Sequence, residues 1–405
     1  MTLQKKIRDK FPFFKNNQGI YFDNAATTQK PNVVIERIIN FYKTENSNVH
    51  RSLHKTGVHN TEEFEKSREA IKDFIGAESS DEIVFTSGTT DSINIIASSF
   101  FKKTLKHGDE ILISPIEHHS NILPWQNLIK ETGAKIKTIP IKADLTYDYG
   151  EIQKLLKRRS VKLLVIHHVS NVTGITQNIK QLIDEATKSA VRVVVDGAQA
   201  VAHEKINVKK LGCDFYCFSG HKMFGPTGTG VLFGKKELLS QISPYKFGGG
   251  MVKNVGINKS TWLQSPYKFE AGTQNIAGVL GLGKAVEFIQ ELGIDLIKKI
   301  ETEIMTCMVE ELKTIPGIQI YGDEKRTIPI FSFNIKNIHH YDLTALLAEN
   351  NVLTRSGHLC NQPLMSYLNI DGCVRVSLAF YNTPEEINCF ILTLKKVISF
   401  LKNNK

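Results

Sequence analysis

The chain has 405 residues, 41% of them hydrophobic and 23% charged, the make-up of an ordinary soluble globular protein and not of a disordered one. No apolar run approaches the roughly 18 residues needed to span a bilayer. The N-terminal stretch MTLQKKIRDKFPFFKNNQG lacks the apolar segment of a secretion signal, so the expected location is cytoplasmic. The net charge of +10 is spread through sites such as KKTLKHG and LKRRSVK, which predicts a solvated surface and no nucleic-acid arm.

The length is more than one hydrophobic core comfortably fills, so two domains are expected. Six cysteines (213, 217, 307, 360, 373 and 389) show no paired spacing, and CDFYC at 213–217 is not a CxxC site. Reduced thiols are the simplest reading.

From about residue 82 to 235, short β-branched runs alternate with longer helical patterns. The predicted strands are EIVFTS (82–87), EILISP (110–115), KIKTIPI (135–141), KLLVIHHVS (162–170), VRVVVD (191–196), DFYCFS (214–219) and GVLFG (230–234). Such runs, separated by amphipathic stretches, predict an α/β fold whose mostly parallel sheet is flanked by helices. In these sheets ligands bind at the carboxyl ends of the strands. After about residue 276 comes one long helical pattern, then short strands at 328–335 and 373–382, then a closing helix, PEEINCFILTLKKVISFLKN. A smaller α+β domain fits this order. The expected division is 18–285 for the large domain, with 1–17 and 286–405 in the small one.

Polar residues collect where the predicted strands end. FTSGTTDSINIIA (85–97) opens a helix with small hydroxyl residues, so Ser87 to Thr90 read as a phosphate cradle or as a plain helix cap. The twin histidines of PIEHHSN point to opposite faces if extended, and HRSLH (50–54) lacks the Glu of an HExxH pattern, so no metal is expected. Asn171 stands just beyond a strand. Asp196 leaves a continuous apolar run, and a carboxylate there is costly unless it meets a cation or a donor. The next strand delivers Ser219, His221 and Lys222 into a glycine-rich loop. Asp196 and Lys222 are 26 residues apart, one strand–connection–strand step, which predicts neighbouring strand ends. Cradle, buried carboxylate and strand-end lysine match the needs of pyridoxal 5'-phosphate: phosphate anchors, an acid at the pyridinium nitrogen and a Schiff-base lysine. Neither GxxxxGK[ST] nor GxGxxG spacing is present, which sets phosphoanhydride hydrolysis and NAD binding aside. Cys360, in the loop-like RSGHLCNQP, reads either as a small hydrophobe or as a nucleophile.

YFDNAATTQKP, NVHRSLH, FTSGTTDSIN, EHHSNILPWQ, HHVSNVTG, VDGAQAV, FSGHKMFGPTGTGVL, FEAGTQN and RSGHLC, in that order, resemble the group II cysteine desulfurases of the SUF type. These belong to the class V aminotransferase branch of fold-type I pyridoxal phosphate enzymes, and the likeness runs over roughly residues 12 to 400. It implies that Lys222 carries the cofactor, Asp196 meets its ring nitrogen, Gln199 its phenolic oxygen, and His118 stacks on the ring and handles a proton. Thr89, Thr90, Ser219 and His221 would contact the phosphate, with Gly272 and Thr273 reaching it from the other subunit of a homodimer. Asn171, Arg355 and Arg375 would hold the substrate carboxylate. Cys360 falls on the catalytic cysteine, which would take sulfur from L-cysteine as a persulfide, leave L-alanine and pass the sulfur to an acceptor protein for iron–sulfur cluster or related biosynthesis.

This chain reads GHLCN where the family usually has GHHCA, and Leu359 is expected to lower the polarity beside the thiol. A selenocysteine lyase or cysteine sulfinate desulfinase shares the same cofactor apparatus, and an aminotransferase or epimerase is a more distant relative in kind. A basic nucleic-acid-binding or scaffold protein has only the net charge to support it.

Overall fold

The alternating apolar runs of the first part of the chain become the strands of one seven-stranded sheet. The structure is a computed structural model and describes residues 3–17, 19–322 and 325–403. The strands are β1 (Ile83–Thr86), β2 (Glu110–Ile113), β3 (Lys135–Thr138), β4 (Val161–His167), β5 (Arg192–Asp196), β6 (Phe215–Ser219) and β7 (Gly230–Gly234). Their order across the sheet is β3-β2-β4-β5-β6-β7-β1. All neighbours are parallel except those of β7, which runs antiparallel to β6 and β1.

Period-two alternation divides each central strand between two cores. Leu164 and Ile166 of β4, with Val193 and Val195 of β5, face one apolar cluster, while Leu163, Val165 and Val194 face the other. Burial on both faces explains why these strands read as unbroken β-branched runs. Helices α1 (Lys55–Ile75) and α2 (Thr89–Ile96) precede and follow β1, and α3 (Ile276–Leu292) lies against α1.

A second, antiparallel sheet of four strands, β8 (Ile318–Tyr321), β9 (Ile330–Ile335), β10 (Arg355–Gly357) and β11 (Cys373–Ser377), has the order β8-β9-β11-β10. Helices α4 (Ile294–Lys313), α5 (Gln362–Tyr367) and α6 (Pro384–Asn403), with a further helix at His340–Glu349, accompany it in the later part of the chain. Phe331, Phe333, Val374 and Val376 pack with Met308 of α4 and with Phe390 and Leu394 of α6 in a third core. The intervening Ser332 and Arg375 therefore face the other way, and the Ser332 hydroxyl donates to Val172 O at 2.6 Å. The small sheet thus turns its polar face to the ends of the large one.

Two parts of the sequence reading change. The single long helical pattern is two helices, α3 and α4, broken at Gly293, whose φ of 80° stops the first at a left-handed residue. Strands β8 and β10 and a hairpin at Val252–Val255 and Ser260–Trp262 were not among the expected elements: β8 alternates over only four residues, and β10 and the hairpin carry too few apolar residues to show a period. The expected division at 285 and 286 falls inside α3, and the one at 18 falls on a residue outside the described set. One core joins residues from both sides of that division: Phe224 packs with Phe11, Phe380 and Tyr381.

Candidate active site

Strands β2, β4, β5 and β6 are parallel, so their carboxyl ends open on one side of the sheet. A cavity of about 430 Å³ lies there. Thr89, Thr90, His118, Asn171, Asp196, Gln199, Ser219, His221, Lys222, Arg355, Cys360 and Arg375 all line it. Gly272 and Thr273 do not: they line a separate cavity of about 670 Å³ with His50 and Arg51.

Asp196 ends β5 opposite Cys217 of β6, which puts Lys222 on the neighbouring strand end. The Asp196 carboxylate accepts the Ala198 N–H at 2.9 Å. Burial raises its pKa, opposed by the charge of Lys222. Burial lowers the pKa of Lys222, with Arg375 adding to the effect and Asp196 opposing it. Both groups move toward their neutral forms because desolvation exceeds their mutual attraction.

The start of α2 meets the end of β6. Ser219 Oγ accepts the Thr89 N–H at 2.8 Å and shares a second 2.8 Å hydrogen bond with the Thr89 hydroxyl. The fit is close: a Cβ on Gly230 would strike Gly88 Cα at 2.4 Å, and one on Gly88 would press on Ser219 Oγ at 3.2 Å. A smaller hollow of about 260 Å³ adjoins here, lined by Ser87 to Asp91, Ser219 and His221. Thr90 Oγ1 lies 2.8 Å from Ser120 Oγ.

The twin histidines part at a turn: His118 is extended and caps a short 3-10 turn that His119 begins. His118 Nδ1 accepts the Ser120 N–H at 3.1 Å, which leaves the imidazole proton on Nε2. Burial and the charge of Lys222 push its pKa down to about 3, so the ring is neutral. His119 turns to the Cys360 loop, where its Nε2 accepts the Gln362 N–H at 3.2 Å and its backbone N–H donates to Cys360 O at 2.9 Å. His221 is pushed down to about 4 by burial. Gln199 donates to Ala25 O at 2.7 Å.

From the small sheet come two arginines. Arg375 is buried and donates to Asn171 O at 3.0 Å and to Asp23 Oδ1 at 3.1 Å. Arg355 bonds the same carboxylate, with Nη2 at 2.8 Å from Asp23 Oδ2. Cys360 is exposed in the turn between β10 and α5. Leu359 does more than border the thiol: its side chain is buried in the main core.

Sequence reasoning missed several participants. Asp23 stands in the quoted YFDNAATTQKP but shows its use only beside the two arginines. His167, paired with Asp196 in register, lines the cavity and binds Glu117 Oε1 through Nδ1 at 2.8 Å, while the Tyr147 hydroxyl donates to the same oxygen. The HH of HHVSN was the available signal.

The arrangement fits the cofactor expected from the sequence. A desolvated lysine, a buried carboxylate on the adjacent strand end and a hydroxyl-lined helix start surround one cavity of small-molecule size. Among the described residues no group of three or more His, Cys, Asp or Glu is arranged to hold a metal ion.

A profile of the aminotransferase class-V family matches residues 20–390. The chain belongs to that family. A probable cysteine desulfurase of Halalkalibacterium halodurans is 44% identical over 93% of this chain and 92% of its own length. The crystal structure of the Escherichia coli cysteine desulfurase CsdA, in an S-sulfonic acid form, superposes with a TM-score of 0.92 at 35% identity over 99% of each chain. The apo structure of a cysteine desulfurase from Thermococcus onnurineus gives 0.94 at 35% identity, over 98% of this chain and 99% of that one.

Proposed function

We propose that Cys360 takes the sulfur of L-cysteine as a persulfide. The activity is that of a pyridoxal 5'-phosphate-dependent cysteine desulfurase, an enzyme acting on L-cysteine. The observation that carries the role of Cys360 is its place: an exposed thiol in a turn at the same cavity as Lys222 and Asp196.

When bound, the cofactor supplies an electron sink that acidifies the substrate Cα and activates the substrate sulfur for transfer. Thr89, Thr90, Ser219 and His221 would hold its phosphate at the start of α2. Asp196 would face the ring nitrogen, where a buried carboxylate would gain the partner its desolvation demands. Lys222 would hold the cofactor covalently, and its burial, which favours the neutral amine, suits it to take the proton from Cα. Arg375, Arg355 and Asn171 fix the substrate carboxylate. Neutral His118, with its proton on Nε2, would stack on the ring and serve proton transfer near the departing sulfur.

The Cys360 thiolate attacks the substrate sulfur. A sulfur–sulfur bond forms as the carbon–sulfur bond breaks, and its electron pair leaves with the carbon skeleton, which takes up protons to become alanine. An exposed turn also lets the persulfide meet an acceptor protein, feeding iron–sulfur cluster or related biosynthesis as in SUF-type enzymes. The reading includes a reducing cytoplasm, where six free thiols persist, and a homodimer. Its support for the dimer is the exposed apolar segment carrying Phe247 and Ile257, close in sequence to Gly249 and Gly250 of the second cavity. A second copy would bring Gly272 and Thr273 to the phosphate.

The test gives purified holoenzyme L-cysteine and a thiol reductant and measures alanine and sulfide together. Equal yields that vanish in Cys360→Ala support the persulfide. Unchanged release in that variant would overturn it and assign the lyase or desulfinase chemistry that needs no such cysteine.

A further inference from the structure

Leu359 and Cys360 are consecutive non-glycine residues in the left-handed backbone region, with φ of 53° and 55°. That conformation costs free energy at each residue and persists only where surrounding contacts over-determine it. Two contacts hold the carbonyls: Asn171 Nδ2 donates to Leu359 O at 2.9 Å, and His119 N donates to Cys360 O at 2.9 Å. The third is Asn361. Its side chain is fully buried, and Nδ2 donates to Ile116 O at 2.9 Å while Oδ1 accepts the Leu364 N–H at 3.4 Å as the cap of α5. Ile116 begins the short segment that carries His118 into the cavity.

We propose that Asn361 is a positioning residue for the sulfur chemistry. Its amide ties the turn holding Cys360 to the strand-end segment holding His118, so that thiol and imidazole face the cavity in one fixed relation. An alanine could make neither bond. The α5 cap explains the oxygen of Asn361 but not its nitrogen, which reaches 245 residues back along the chain. This inference rests on Cys360 being the nucleophile.

Asn361→Ser keeps a capping oxygen but is too short to reach Ile116 O. Asn361→Asp keeps the cap and donates to that carbonyl only when protonated. Three readouts apply to each variant: alanine released in a single turnover by holoenzyme in excess over L-cysteine, the steady-state KM for L-cysteine, and the alkylation rate of Cys360 by iodoacetamide relative to exposed Cys389 in cofactor-free protein. Misplacement by about 1 Å costs on the order of 100-fold, so Asn361→Ser is expected to slow the single turnover about 10- to 100-fold with the KM for L-cysteine little changed. The Cys360 to Cys389 alkylation ratio should shift in parallel. For Asn361→Asp, the rate relative to wild type should recover as pH falls.

Wild-type turnover and alkylation ratio in Asn361→Ser would overturn the proposal, as would a loss confined to KM. Cys360→Ala is run alongside. If it keeps single-turnover alanine release, the nucleophile reading has failed, whereas the alkylation ratio still reports whether Asn361 holds the turn.

Discussion

Arg355 and Arg375 lie directly opposite each other on adjacent antiparallel strands, and both donate to the carboxylate of Asp23. Like charges in facing positions repel, so the pair stands only because a carboxylate from the N-terminal part of the chain lies between them. Their environments differ: the Arg375 side chain is 3% exposed and that of Arg355 is 50% exposed. Asp23→Ala leaves a buried arginine uncompensated and should cost about 3 kcal/mol, read as a lower urea midpoint at unchanged slope. Arg355→Gln should cost less than about 1 kcal/mol, because water screens that partner. Equal losses would contradict the assignment.

Arg68 of α1 is fully buried and grips Glu270 with two hydrogen bonds, of 2.7 and 2.9 Å, while Phe85 N donates to the same carboxylate at 2.8 Å. This pair ties α1 and β1 to the segment that continues into Gly272 and Thr273. Arg68→Met should cost about 3–5 kcal/mol by stranding the carboxylate. Adding Glu270→Gln should return part of that loss, a coupling that a double-mutant cycle measures.

Ser219→Ala removes the acceptor that orients the Thr89 N–H and hydroxyl. Hydrogen bonds involving a charged group contribute about 1.5–3 kcal/mol, so pyridoxal phosphate should bind about 10- to 100-fold more weakly. Titration of cofactor-free protein measures the change, and the thermal midpoint of that protein should move little.

Three histidines should make the cofactor-free protein sensitive to acid. Burial is the leading cause in each case, pushing His118 down to about 3 and His168 and His221 to about 4. The unfolded chain binds these protons near pH 6.5 and the folded chain does not, so their contribution is complete above about pH 6.5 and is lost as pH falls toward 4. Buried His203, raised by Glu301 against the opposing effect of burial, acts in the opposite sense and offsets part of the slope. Urea midpoints at pH 7.5 and 5 should show the fall, and His168→Asn should flatten it.

Much of the large sheet was legible because a strand buried on both faces needs apolar β-branched residues over its own length. All seven expected strands occur, with ends shifted by a few residues at most. The Asp196–Lys222 relation was legible too, since one strand–connection–strand step fixes which strand ends are neighbours. β10 was not, because Arg355–Gly357 is short and polar and forms only where β11 presents a free edge. The break at Gly293 interrupts a pattern whose apolar residues recur on both sides, so periodicity alone ran through it.

By itself the sequence determined the strands of the large sheet, the strand-end placement of the lysine and carboxylate, and, through its motifs, the family. These depend on residues close along the chain, whose backbone preferences and apolar period act locally. Only the tertiary structure decided that Asp23 joins Arg355 and Arg375, that His119 and Asn361 brace the Cys360 turn, and that Gly272 and Thr273 lie outside the first cavity. Such contacts join residues hundreds of positions apart, and they exist because packing the small sheet against the strand ends leaves buried polar groups that must find partners there.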